Sequence, residues 1–415
     1  MNNQDQLKGL CDLLFMTRNE SLTICSPLSV EDHNIQSMPD VSPPKWHLAH
    51  TTWFFETLLL KPFVEGYQVF HESFEYLFNS YYESVGTFHP RVERGNLSQP
   101  SLESIHQYRN HVDEWLKKSL QEEELITEEY VKILEIGIQH EKQHQELLLM
   151  DLKYNFWKNP LLPQYSKAPF PKSEESSPCR WLTIEEGIYE VGAQPGEFHY
   201  DNEGKQHRVF LEPVTIADRL ITNGEYLGFI EAGGYVRAEL WLSDGWHHIN
   251  KEKWKHPLYW SHKDGEWCEF TLHGLVPLDM NAPASHLSYF EADAYARWCE
   301  ARLPTEFEWE ALSRKLGGEP SPLDLDTLHP NISTREKSFL GNLWQWTSSS
   351  YSPYPGFKPE HGALGEYNGK FMCNQYVLRG GSIATPSKHM RHSYRNFFPA
   401  HSRWMFSGLR LAKEV

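Results

Sequence analysis

The stretch Ile138-Gln139-His140-Glu141-Lys142-Gln143-His144-Gln145-Glu146 carries two imidazoles four residues apart. On a helix that spacing puts both rings on one face, one turn from each other. Steps of three and four through the surrounding chain give Tyr130, Ile133, Gly137, His140, His144, Leu147 and Asp151. This is a mostly apolar seam of the kind that faces a partner helix. Two rings on a buried stripe need partners, because an unsatisfied polar group is costly there. A transition metal satisfies both at once. The same residues also match H-E-x-x-H, the zinc protease pattern, in which Glu141 would be the general base. Against that reading, Glu141 falls one position off the seam. No third zinc ligand follows at the customary downstream spacing.

A third donor has to come from another element. Ser42-Pro43-Pro44 marks a helix start, since proline pre-sets the first turn and lacks the amide that would go unpaired. The helix it opens spans about 43–60 and carries Trp46, His47, Leu48, Ala49, His50, Trp53, Phe54, Leu58 and Leu59. His50, Phe54 and Leu58, at steps of four, make an apolar stripe. His47, three residues before His50, could share that face, and periodicity leaves the two histidines as alternatives. Two further helices are expected over 2–17, with Leu7, Leu10, Leu14 and Phe15 on one side, and over 101–120, with Leu102, Ile105, Val112, Trp115 and Leu116 apolar. The histidine helix itself runs over about 127–152, opened by Thr127 and Glu128. Four helices with inward histidines describe a bundle with a metal in its core. Residues 67–101 are aromatic and irregular. There Tyr81-Tyr82 followed by Arg91 and Arg94 suits the lining of a polar pocket. Composition alone favours the plainer reading, a surface loop with snorkelling side chains.

Residues 157–180 hold five prolines, several serines and alternating charges, and read as a linker. Beyond them helical periodicity gives way to Gly, Trp, Tyr and short β-like runs such as Tyr189-Glu190-Val191-Gly192 and His207-Arg208-Val209-Phe210-Leu211. Helices are expected there over about 288–301 and, from a Thr305/Glu308 capping box, over 305–314. The organisation is a helical domain over 1–156, the linker, and a loop-rich domain over 181–415, α+β overall. Loops ordered by aromatic packing commonly present binding residues.

Composition narrows the function classes. A chain of 415 residues with 40% hydrophobic and 14% aromatic side chains supports two or three cores. The net charge of −17 repels phosphate backbones and argues against nucleic acid as a partner. No run of eighteen apolar residues offers a membrane span. The first twenty residues contain Asp5, Lys8, Asp12 and Arg18 in place of a signal-peptide apolar block, which implies a cytoplasmic protein. The six cysteines are scattered with no C-x-x-C pair, as expected of reduced thiols.

Trp46-His47-Leu48-Ala49-His50-Thr51 together with His140-Glu141-Lys142-Gln143-His144-Gln145-Glu146 resembles the DinB-like four-helix domain of the sulfoxide synthases of ergothioneine biosynthesis. The second half resembles the C-type-lectin-like domain of formylglycine-generating enzymes (sulfatase-modifying factors), which follows it in that family. The matching segments are Thr222-Asn223-Gly224-Glu225-Tyr226, Arg302-Leu303-Pro304-Thr305-Glu306-Phe307-Glu308-Trp309, Gly341-Asn342-Leu343-Trp344-Gln345-Trp346 and Arg379-Gly380-Gly381-Ser382. The likeness covers nearly the whole chain in the right order.

The resemblance implies Fe(II) held by His50, His140 and His144, a neutral facial set with three positions left for substrates and dioxygen. It implies a reaction that joins hercynine (Nα-trimethylhistidine) to cysteine through a carbon–sulfur bond at the imidazole C2, with formation of a sulfoxide. Gln143 is similar to the glutamine that holds hercynine. Asn396 resembles the asparagine that holds its carboxylate, with Phe397 and Phe398 facing the trimethylammonium group. Arg91 and Arg94 resemble the pair that grips the carboxylate of the sulfur donor. Tyr81-Tyr82 is similar to the pair of the branch that uses free cysteine, where tyrosine donates a proton or an electron. γ-Glutamylcysteine or a selenosugar as donor, and a DinB-like metal-dependent thiol transferase, are the alternatives. The sequence departs from formylglycine-generating enzymes in two ways. No cysteine pair follows Gly380-Gly381-Ser382, so the lectin-like domain is expected to lend binding walls and to leave that chemistry aside. Gln345 stands where the superfamily often has a glutamate near calcium.

Overall fold

Helix starts fall where the sequence offers caps. The computed structural model describes residues 3–320, 323–331 and 339–415, and the chain divides into two units, Met1–Leu161 and Leu162–Val415. The first unit is helical: α1 (Asn3–Cys25), α2 (Pro44–Phe55), α3 (Lys61–Phe63), α4 (Phe74–Phe78), α5 (Leu102–Ser119) and α6 (Glu128–Lys158). Pro44 sits in the first turn of α2, and a wide π turn, Glu56–Leu60, carries the helix on into α3. Ser101 and Thr127 accept hydrogen bonds from the amides of Ser104 and Tyr130 at the starts of α5 and α6. Packing joins α6 to both α1 and α2, and α2 to α5.

Two helices run past their expected ends. The first continues from residue 17 to Cys25, because Arg18 and Ser21 reach the buried Glu141 of α6 and tertiary contact holds the extra turns in place. The second, α6, continues six residues beyond 152 with Phe156 buried. Gly137 explains how α6 comes so close to α2. A Cβ there would lie 2.4 Å from the Phe55 ring. Gly137→Ala should therefore destabilise the helical unit by about 1–3 kcal/mol despite alanine's better helix propensity. A denaturation midpoint at or above that of the unaltered protein would show that Phe55 moves aside freely.

The described residues of the second unit form small sheets and four α-helices. Strand β1 (Trp181–Ile184) pairs with β4 (Val214–Ala217), which also pairs with β12 (Ala412–Glu414). A hairpin of β2 (Gly187–Val191) and β3 (His207–Leu211) stands beside them, at the two runs expected to be extended. A meander follows: β5 (Trp260–Lys263), β6 (Glu266–Thr271) and β7 (Gly274–Pro277). The last sheet has the order β10-β9-β8-β11, from β8 (Trp344–Ser350), β9 (Gln375–Arg379), β10 (Asn396–Pro399) and β11 (Ser407–Gly408). The helices are α7 (Asn223–Glu231), α8 (Ser243–Glu252), α9 (Tyr289–Trp298) and α10 (Glu306–Leu316). Sequence periodicity reveals α9 and α10 but not α7, whose Thr222/Glu225 capping box precedes a stretch with two glycines, nor α8, which is short and opens Ser-Asp-Gly.

Ile184, Leu211, Val214, Ile216, Trp309, Leu312 and Phe339 pack as a core in this unit. Each such side chain contributes about 1.5–3 kcal/mol by leaving water. Gln345 is part of the scaffold. Its amide donates to the Phe339 carbonyl at 2.9 Å and accepts from Trp309 Nε1 at 2.8 Å and Arg410 Nε at 3.0 Å. At Gly380, with φ of +106°, a Cβ would stand 2.8 Å from that same amide, so only glycine lets the loop pass.

Candidate metal centre

Three imidazoles from two helices meet inside the helical unit. His50 of α2 and His140 and His144 of α6 each bring one ring nitrogen within 4.8 Å of the others. The ring centroids are 4.9 Å (His50–His140), 4.7 Å (His50–His144) and 4.6 Å (His140–His144) apart, every pair edge to face. His50 and His140 are 1% and 2% exposed. Burial, reinforced by the neighbouring rings, holds the pKa of His50 and His144 well below the ordinary histidine value, and burial brings that of His140 down to about 3. The set is therefore neutral at physiological pH, with lone pairs available to a cation. Three nitrogens and no carboxylate suit a borderline transition metal such as iron or zinc.

The surroundings hold the rings of His50 and His144. Trp46, four residues before His50, stacks on it at 4.6 Å, and Trp53, three residues after it, at 5.5 Å. Both indoles lie on the face of α2 that carries His50, a pattern present in the sequence but not singled out there. His50 Nδ1 donates to the Phe78 carbonyl at 2.6 Å, which leaves Nε2 for the cation. His47 and His50 occupy different positions. His47 stands behind His144, its Nδ1 2.9 Å from His144 Nδ1 and its Nε2 3.1 Å from Asp151 Oδ2.

Glu141 faces another way. Its carboxylate accepts from Arg18 Nη1 at 3.0 Å, Ser21 Oγ at 2.7 Å and Arg109 Nη2, all buried. Burial alone would raise its pKa, but Arg109 and Arg18 reverse this and hold it below the usual carboxylate value. A carboxylate spent on two guanidinium groups does not serve as the base of a zinc hydrolase.

The loop after α4 brings the tyrosines toward this centre. Tyr82 is fully buried, its ring 5.4 Å from Trp53 and stacked on Tyr81 at 4.7 Å. Asn79 clamps the turn, accepting from the Tyr82 amide at 3.0 Å and donating to the Tyr82 and Gly86 carbonyls. The two arginines are not equivalent. Arg91 is exposed and donates to the Asp40 carbonyl. Arg94 is 5% exposed, lies 3.4 Å from the centre of the Trp46 ring and donates to Ser42 Oγ at 2.9 Å. Burial, then Arg91, lowers its pKa well below the ordinary arginine value, and the Asp151 carboxylate offsets only part of this. Gln143 is half-buried on α6 next to His144.

Asn396, Phe397 and Phe398 lie in the second unit on β10, opposite Leu378, Val377 and Tyr376 of β9. Strand alternation puts Phe397 on the face opposite to Asn396 and Phe398. Phe397 stacks on Tyr351 at 4.1 Å, and Phe398 meets Trp404 edge to face at 5.6 Å. Arg395, just before them, is bonded to Glu306, Asn202 and Ser352 and anchors the start of the strand.

No helix among the described residues is long and apolar enough to cross a membrane. The family model of the DinB superfamily matches residues 14–148, and that of the sulfatase-modifying factor enzyme 1-like domain matches 166–330 and 336–415. The chain is similar to a hercynine oxygenase of Mycobacterium tuberculosis, 32% identical over 67% of this chain and 70% of the relative. It is 29% identical to a hercynine oxygenase of Mycolicibacterium thermoresistibile over 91% of this chain and 88% of the relative. Ergothioneine biosynthesis protein 1 of Schizosaccharomyces pombe is 29% identical over 52% of this chain and 28% of its own length.

Proposed function

Since the chain belongs to the family in which a DinB-superfamily domain precedes a sulfatase-modifying-factor-like domain, that of the hercynine oxygenases, we propose that it joins hercynine to cysteine as the sulfoxide synthase of ergothioneine biosynthesis. The observation that carries this reading is the neutral three-histidine set of His50, His140 and His144, with the buried guanidinium of Arg94 one indole away. Fe(II) is the cofactor proposed for that set; when bound it supplies the redox chemistry of dioxygen. In the overall change the imidazole C2–H and the thiol S–H bonds are lost and a carbon–sulfur bond forms. One oxygen atom becomes the sulfoxide and the other leaves as water.

The chain's own residues bind and orient. Arg94, with Arg91 nearer the surface, is assigned to the carboxylate of the sulfur donor, because a buried guanidinium that Asp151 offsets only in part gains when a further anion meets it. Gln143 is assigned to the hercynine imidazole, Asn396 to its carboxylate, and Phe398, on the same face of β10 as Asn396, to the trimethylammonium group; Phe397, expected to share that task, lies on the other face and stacks on Tyr351 instead. Tyr81 or Tyr82 holds the phenolic proton that can pass to the reacting oxygen. The tyrosine pair favours free cysteine over γ-glutamylcysteine or a selenosugar. The thiol transferase alternative gives Tyr81, Tyr82 and Asn396 no task.

Purified protein given hercynine with cysteine and γ-glutamylcysteine in competition should yield the cysteine-derived sulfoxide by mass spectrometry, and only in air. Full turnover under strict anaerobiosis would refute the oxygenase chemistry. Arg94→Ala should raise the KM for cysteine by about tenfold to a hundredfold, the weight of a charge-assisted hydrogen bond, with a much smaller change for hercynine. An equal effect on both substrates would place Arg94 outside the donor site.

A further inference from the structure

His47 and Asp151 lie outside the ligand set, yet both point back at it. Asp151 Oδ2 accepts from the Ser42 amide at 2.8 Å, and an amide can only donate, so this oxygen is an acceptor. The His47 Nε2 that lies 3.1 Å from the same oxygen must then carry a hydrogen. In neutral imidazole the other nitrogen is a bare acceptor. That nitrogen, His47 Nδ1, stands 2.9 Å from His144 Nδ1, so the hydrogen between them belongs to His144. With Nδ1 protonated, the lone pair of His144 is on Nε2, the one ring nitrogen left for a cation.

We infer that Asp151 and His47 are positioning residues, a two-link chain that fixes the tautomer and rotation of His144 and so sets the affinity of the metal site. His50 gets the same service from a single backbone carbonyl, that of Phe78. The difference is that the His144 chain ends on a carboxylate, which makes the ligand ring a better donor. Asp151 also ties the chain to the start of α2 through Ser42, so the helix that carries His50 and the ring of His144 are referenced to one oxygen atom. The inference rests on the three-histidine metal reading proposed above.

Two variants of nearly equal shape separate positioning from space filling. In His47→Asn the side-chain oxygen can take the place of Nδ1 and still accept from His144, whereas His47→Leu offers no acceptor. Metal-free protein is titrated with Fe(II) anaerobically, and with Co(II), whose visible absorption reports ligand geometry. His47→Leu should lose about 10–100-fold in affinity and show an altered Co(II) spectrum, and His47→Asn should recover most of both. Equal loss in the two variants, or none in His47→Leu, overturns the inference. If the unaltered protein takes up no metal at His50, His140 and His144, the metal reading itself fails, which is a different result. Should His47→Leu not fold, nitrogen NMR of histidine-labelled unaltered protein reads the tautomers directly. The Nδ1–H form is expected at His144 and the Nε2–H form at His47, and the reverse at His144 overturns the chain.

Discussion

Protein carrying His140→Ala should contain no more than background iron and form no sulfoxide, while its far-ultraviolet dichroism stays that of the unaltered protein. The fold survives because α6 keeps Ile133, Ile138, Leu148, Leu149 and Leu152 in the core, none of which depends on the ring. The site does not survive. Two imidazoles, His50 and His144, cannot replace a facial three-nitrogen set, and the loss in metal affinity should exceed the roughly hundredfold seen when only an outer partner of a ligand is removed. Metal analysis by plasma mass spectrometry and product detection are the two measurements. Turnover that persists in this variant would mean the ligands are misassigned.

Glu141→Gln should act through stability. The substitution leaves Arg18 and Arg109 buried, with Arg109 deprived of the carboxylate that neutralises it, and breaking such a pair costs about 3–5 kcal/mol. The pH dependence has a defined sign. The two arginines hold the folded pKa of Glu141 below its unfolded value, so this contribution is complete above the unfolded glutamate pKa of about 4.3 and is lost as the pH falls through the folded value. Denaturant unfolding of the helical unit should therefore separate the variant from the unaltered protein at pH 7, and the gap should shrink toward pH 3. If Glu141→Gln instead kept its stability and lost only turnover, the residue would be a catalytic base and its structural role would fall.

How much of this could be read from the chain depends on the range of the interactions. The His140/His144 pair, the seam around it and the proline start of α2 are local periodic signals, and each led to the element that carries it. The choice between His47 and His50 is not local. It turns on which ring α6 meets across the interface, and Gly137 against Phe55 decides that approach. The longer α1 has the same cause, since Arg18 and Ser21 are held by Glu141, more than a hundred residues away. Arg91 and Arg94 look alike in sequence, three apart in a polar loop. Only the fold buries one against Trp46 and spends the other on the Asp40 carbonyl. In the second unit an apolar side reveals α9 and a capping box reveals α10, whereas alternation along β10, which sends Phe397 and Phe398 to opposite faces, becomes definite only once the strand register is known.

Trp46 touches both the ring of His50 and the guanidinium of Arg94, so under the proposed assignments a single indole would be a wall common to two binding events. Any settling of that ring brought by one occupant would then lower the cost for the other. Linkage then demands reciprocity: the factor by which the cation tightens the thiol's carboxylate is the factor by which the thiol tightens the cation. Order of addition would change the route to the ternary complex but not its total free energy.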